Sequence, residues 1–172
     1  PRRGMQLLAE LAHARAIPVT WLVNSGSARE AADLLTPWHE KFDDEVGLYL
    51  QAPPEPQTGA DERQYFLSLN YERMREKIER EAAAVVEALP WAKLRVAGAG
   101  YRSNTMVAVL EDLGFDGLWG HCWEQAYVDS ITDRGVPWGF YYASRKAYKA
   151  PARYPGKVCL LYTSPSPRDR QK

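Results

Sequence analysis

Apolar residues recur at helical spacing at Met5, Leu8, Leu11 and Ala12, and the pattern then changes to a nearly unbroken run, IPVTWLV at 17–23, rich in β-branched residues. A helix feeding a buried strand is predicted. Asn24-Ser25-Gly26 breaks the run. Ser27 then reads as the N-cap of AREAADLL, with Glu30 at the capping-box position, and Thr36-Pro37 as a cap-then-proline restart of helix. EVGLYLQ at 45–51 is the next predicted strand, and APPEPQTGAD a loop. A long helix follows over about 70–89, with Met74, Ile78, Ala82, Val85 and Leu89 as its buried stripe. The charges between them read as a solvated face with pairs such as Glu76 and Arg80.

KLRVAGA at 93–99 predicts a third strand, whose small residues imply close approach of another backbone or a ligand. Asn104 is the expected cap of the next helix, Met106, Leu110 and Leu113 its core face, and Gly114 its stop. FDGLWG at 115–120 is a fourth strand. Helix and strand thus alternate through short connections, which predicts parallel strands with right-handed crossovers, in a doubly wound sheet or a barrel.

Composition changes this picture mainly at the end of the chain. Residues 159–172, CLLYTSPSPRDRQK, crowd Ser, Pro and Arg together and carry no apolar period. CLLYTSPSPRD resembles one translated frame of the transposase adaptor used in shotgun libraries, so this tail is expected to lie outside the native fold. Residues 1–158 are then an α/β domain, expected to be cut at both ends because PRRG opens directly into a helical pattern. Without the tail Cys122 is the sole cysteine, which excludes an internal disulfide and a Cys-based zinc site within this segment. The balance of 22 basic and 22 acidic residues loses three basic and one acidic, leaving 19 against 21. A slightly acidic segment argues against nucleic acid as a partner, and no apolar run is long enough for a transmembrane segment. Localisation is not encoded in these residues.

In both architectures the working groups sit just past the carboxyl ends of the strands. GAGYRSN brings Tyr101, Arg102, Ser103 and Asn104 to a helix start, where an anionic or hydroxyl-rich group can bind. A glycine-dependent turn with an ordinary cap explains the same residues. WGHCWEQAYVDSITDRG, at 119–135, gathers His121, Cys122, Trp123, Glu124, Asp129, Asp133 and Arg134 after a strand. An imidazole and a carboxylate can divide acid and base duties or share a metal, and Trp123 and Trp138 can stack on sugar. Packed, hydrogen-bonded side chains are the competing explanation. His13 and His39 read as surface or satisfied positions.

The ordered segments resemble the polysaccharide deacetylase family, the NodB-like barrels, over about residues 5–155. Pro18, Val19, Thr20, Trp21, Leu22 and Val23 match its second strand, and Asp44, Glu45, Val46, Gly47, Leu48 and Tyr49 its His-Glu-Ile-Gly segment. Residues 96–100 take the place of its Arg-x-Pro-Tyr segment, Leu113-Gly114-Phe115 match its helix end, and PWGFYYAS its aromatic rim. The resemblance implies a partial, seven-stranded relative of the (β/α)8 barrel and carbohydrate deacetylation with a divalent metal. The family's Asp ligand would precede Pro1, and its two His places fall on Tyr49 and Pro53, so no metal ligand carries over and the cofactor is left unassigned.

The expected function is therefore a carbohydrate-active hydrolase, deacetylase-like or glycosidase-like, with a glycan cleft at the strand C-terminal ends. His121 and Glu124 are its expected catalytic pair, and Tyr101, Arg102, Asn104, Trp123, Asp133 and Trp138 its substrate contacts. The alternatives are a non-catalytic glycan-binding or scaffold barrel and a barrel enzyme acting on a phosphorylated small molecule.

Overall fold

The computed structural model describes residues 2–52, 62–100, 102–120, 141–152 and 159–162. Helix α1 (Arg2–His13) leads into strand β1 (Thr20–Val23), α2 (Ser25–Phe42) and β2 (Glu45–Leu50). Helices α3 (Glu62–Ser68) and α4 (Tyr71–Ala88) precede β3 (Val96–Ala99), and α5 (Asn104–Asp112) precedes β4 (Gly117–Gly120). The last elements are β5 (Tyr141–Ser144), β6 (Ala147–Pro151) and β7 (Cys159–Tyr162).

Strands β1 to β4 are parallel neighbours in chain order, so the expected alternation of helix and strand forms one parallel sheet. The whole sheet runs β1-β2-β3-β4-β7-β5-β6. A doubly wound sheet needs a point where strand order reverses; none occurs among β1 to β4. Among the described residues no pairing joins β1 to β6, so the fold stands as a mixed α/β sheet.

Register decides which side chains share a face. Trp21 pairs with Val46, Val23 with Leu48, Leu48 with Ala97, and Ala97 with Leu118. All of these are buried, in one core with Leu35, Met74, Ile78, Val85, Met106 and Leu110 from the helices. Helix α4 packs against β2 and contacts both α2 and α5, making the middle of the helical layer. Its stripe is as expected at Met74, Ile78, Val85 and Leu89, each fully buried. The surface ion pair on that helix joins Arg75 to Glu79 at 3.0 Å.

The opposite face carries Leu22, Gly47, Tyr49, Gly98 and Trp119. A Cβ at Gly98 would lie 2.6 Å from Leu22 Cδ1, and one at Gly47 2.7 Å from Leu22 Cδ2 and from the Val96 carbonyl oxygen. Gly98 of β3 thus makes room for the side chain of Leu22, where another backbone or a ligand was expected.

Local expectations are corrected in four places. The N-cap of α2 is Asn24, whose side chain accepts from Ser27 N while Ser27 returns the bond to Asn24 N; the Asn side chain captures the turn one step earlier than Ser27 would. Helix α2 is continuous through Pro37 instead of restarting there, because Trp38, His39 and Phe42 anchor its second half. Ser103, not Asn104, caps α5, its hydroxyl accepting from Met106 N. In α1, Leu8 and Leu11 are exposed and Ala9 is buried; the helix meets α2 through Arg2 on Asp33 and His13 on Trp38 and Phe42.

The end of the chain brings a further correction. Cys159–Tyr162 is not outside the sheet: it lies parallel to β4 and antiparallel to β5. Ser, Pro and Arg dominate the composition of residues 159–172 as a whole, but CLLY alone is apolar, and β4 would otherwise present an unpaired edge to which such a segment adds. Residues 163–172 lie outside the described residues.

Candidate functional site

The carboxyl ends of β1 and β2 open onto a cleft of about 340 Å³ lined by Asn24, Ser25, Gly26, Gln51, Ala52, Tyr65, Lys77, Arg80 and Glu81. Asn24 stands where β1 ends and α2 begins, and its Nδ2 donates to Gln51 Oε1 at 3.0 Å across the two strand ends. Tyr65 comes from α3, and Lys77, Arg80 and Glu81 from one face of α4. Lys77 belongs to the buried side of that helix, three residues after Met74, and is 5% exposed. Its ammonium lies 5.5 Å from the centre of the Tyr65 ring, within cation–π range. Burial pushes the Tyr65 phenol up; the nearby Arg80 charge opposes the shift and Glu81 adds to it.

Of the expected site residues, Arg102 and Asn104 lie within the described set. Arg102 is 1% exposed, at the carboxyl ends of β3 and β4. Its Nη1 donates to the Ala99 carbonyl at 2.9 Å and points to that of Trp119 at 3.5 Å, so it bridges two strand ends from inside the fold. Asn104 faces the β5–β6 hairpin: its Nδ2 donates to the Lys146 carbonyl at 2.9 Å and its Oδ1 accepts from Tyr148 N at 2.9 Å. The two are therefore not brought together in one substrate contact. Both of Asn104's polar atoms serve the hairpin, a role that its place two residues after Arg102 did not disclose. Tyr101, His121, Trp123, Glu124, Asp133 and Trp138 lie outside the described residues, as do Cys122, Asp129 and Arg134.

A second polar cluster sits at the amino ends of β1 and β2. Asp44, 1% exposed, accepts through Oδ1 from Val19 N at 3.0 Å and through Oδ2 from Trp21 Nε1 at 2.7 Å. His13 Nε2 lies 2.9 Å from Asp44 Oδ1, and His39 Nδ1 2.8 Å from the Asp44 carbonyl. His13 stacks on Phe42 and His39 on Trp91. Both histidines are thus satisfied packing residues, as their positions on α1 and α2 suggested. Groups at this end of a parallel sheet serve stability more than chemistry.

Among the described residues no three His, Cys, Asp or Glu side chains converge as metal ligands, and no helix is long and apolar enough to cross a membrane. Tyr49, at one of the family's two histidine places, is half-buried and offers a phenol in place of an imidazole. Among the described residues, the divalent metal that the resemblance implies finds no fitting set of ligands. No family model and no curated protein matches the chain.

Proposed function

We propose that the chain is part of a carbohydrate-active hydrolase of the polysaccharide deacetylase type, its sheet a section of a seven-stranded barrel with a glycan cleft at the strand carboxyl ends. The observation that carries this reading is the order β1 to β4 without reversal, with α2, α4 and α5 as consecutive neighbours. Right-handed crossovers in that order put every helix on one face, the winding that a barrel needs. Supporting it, the other face offers half-buried Leu22, Tyr49 and Trp119 for an interior, and the rim bears a cleft with amide, phenol and cationic groups. Such a mixture of a few polar groups and an aromatic ring suits a hydroxyl-rich ligand.

In this reading His121 and Glu124 carry proton transfer, and Tyr101, Trp123, Asp133 and Trp138 contact sugar. Arg102 ties the β3 and β4 ends together. Turnover of acetylated and plain glycans, measured for the chain and for His121→Ala and Glu124→Ala, tests the assignment. A fall of at least about a hundredfold is expected for each; unchanged turnover in both removes them from the mechanism.

A non-catalytic glycan-binding barrel is the second reading, favoured by Tyr49 and Pro53 at the places of the metal-binding histidines. Calorimetric binding of glycans without turnover, unchanged by divalent cations, would select it.

A further inference from the structure

Helix α1 is attached to the fold differently from the other long helices. Among its 12 residues Ala9 alone is buried as a whole, with the His13 side chain nearly so, whereas α4 buries Met74, Lys77, Ile78 and Val85. Leu7, Leu8 and Leu11 are exposed, and the side turned to α2 carries Arg2, Gln6 and His13. Between the two helices lies a groove of about 320 Å³, lined by Gln6, Glu10 and His13 of α1 and by Leu34, Trp38 and Phe42 of α2. Helices α2 and α5 pack closely along α4, but α1 has no comparably close backbone approach to any described element. Most of a helix's stability in a protein comes from packing an apolar face, and α1 packs little of its own.

What holds α1 is polar and sits at its two ends. Arg2 bonds Asp33 at 2.9 and 2.7 Å in an exposed pair, a kind that contributes little. His13 is the stronger tie: its side chain is 7% exposed, its ring stacks on Phe42 with centroids 3.8 Å apart, and its Nε2 meets Asp44 Oδ1 at 2.9 Å. The turn beyond it holds Ala16 at φ 53°, a left-handed conformation that a Cβ disfavours. From Val19 onward the chain is fastened independently of α1. Val19 N and Trp21 Nε1 donate to Asp44, the Val19 carbonyl accepts from Glu45 N, and Thr20–Val23 pairs with β2.

From this arrangement we propose that α1 is a strap that opens and closes as a unit of its own while the sheet stays folded, with His13 on Asp44 and Phe42 as its clasp and the turn around Ala16 as its hinge. Opening breaks no bond of the sheet. It parts the Arg2–Asp33 pair and the His13 clasp, and turns the Asp44 carboxylate and the Phe42 ring toward the space that α1 leaves. Segments with few buried apolar contacts occupy the low end of the stability range within a fold, and such a segment opens without the rest. The proposal is independent of the glycan reading.

Native-state hydrogen exchange of the chain, resolved by segment in mass spectrometry, tests it. Amides of residues 6–13 should exchange at least about a hundredfold faster than those of α4. Small additions of urea should leave the α1 rate nearly unchanged and raise the α4 rate steeply, because opening α1 exposes little surface and unfolding the core exposes much. His13→Gln keeps a polar side chain that suits a helix but gives up the ring stack and the bond to the carboxylate. It should speed α1 exchange by about tenfold and leave α4 unaltered. Leu8→Gln and Leu11→Gln, at outward positions, should leave both rates within about twofold. Equal protection of α1 and α4, or one steep urea dependence shared by both, would show that α1 opens only with the whole fold, and overturns the proposal. So does α1 exchange that ignores His13→Gln, since the clasp would then hold nothing. An effect of Leu8→Gln or Leu11→Gln as large as that of His13→Gln overturns it as well, because the hold would then lie on the outward face.

Discussion

Asp44 is the one buried carboxylate among the described residues, and its bonds explain why it is tolerated. One oxygen serves Val19 N and His13, the other Trp21 Nε1, so that the edge strand, α1 and the start of β2 are fastened at a single side chain. Asp44→Ala would strand the Trp21 and Val19 donors inside the protein. Each buried donor left without a partner costs about 1–3 kcal/mol, so a loss of about 3 kcal/mol is expected in urea unfolding. Trp21→Phe removes one of those donors together with its need, and should recover part of the loss in the double variant. Absence of any coupling between the two would show that the bond matters little. The sequence disclosed the burial of Trp21 through the apolar run around it, but not the role of Asp44. In FDDEVG the two aspartates look alike. Only the fold separates Asp43, which ends α2 at φ 59°, from Asp44, which turns inward.

At the scale of elements, the β5–β6 hairpin is held to α5 by side chains as well as by the sheet. Asn104 binds the backbone at Lys146 and Tyr148, while Arg145 grips Asp112 with two bonds of 2.8 and 2.7 Å and reaches Glu111 at 3.1 Å. The Arg145 guanidinium, with the Tyr71 hydroxyl second, holds the Asp112 carboxyl well below the usual carboxylate range, and Asp112 in turn raises Arg145. A carboxyl depressed in the folded state stabilises above its unfolded pKa, about 4, and loses that contribution as pH falls through the lower folded value. Stability should therefore decline below about pH 4 in part through this group, and Asp112→Asn should flatten that decline while leaving a lower plateau at neutral pH. Thermal unfolding followed from pH 7 to about pH 2 checks it; an acid slope identical in the two proteins would remove Asp112 from the account. Exposure of the pair keeps the effect modest and salt-sensitive. None of this linkage was readable beforehand, because the partners are 33 residues apart and the hairpin lies among aromatic residues whose pattern fits a strand and a lid equally.

At the scale of the whole molecule, the parallel sheet was the most readable feature, because each of β1 to β4 is a short apolar run bounded by turn residues and separated by a helical period. The hairpin and the last strand were not, since pairing partners in a sheet are chosen by which edge is open rather than by local sequence. That principle sets the final prediction. Strand β7 fills the gap between β4 and β5 through Cys159–Tyr162. Two chains, one ending at Tyr162 and one at Val158, test it. The chain ending at Val158 leaves the β4 edge unpaired and parts the β5–β6 hairpin from the rest of the sheet. Even about 2 kcal/mol lost would lower the melting temperature by roughly 4–8 °C for a chain of this size, and the bare edge should increase association at high concentration. Replacing CLLY by another apolar β-forming tetrapeptide should restore the melting temperature, since an open edge recognises backbone donors and acceptors and an apolar face, not a particular sequence. Equal melting of the Val158 and Tyr162 chains would mean instead that β4 needs no partner on that side. Restoration by the substitute tetrapeptide would fit the adaptor origin expected for residues 159–172, because strand addition of this kind requires no native history in the segment that supplies it.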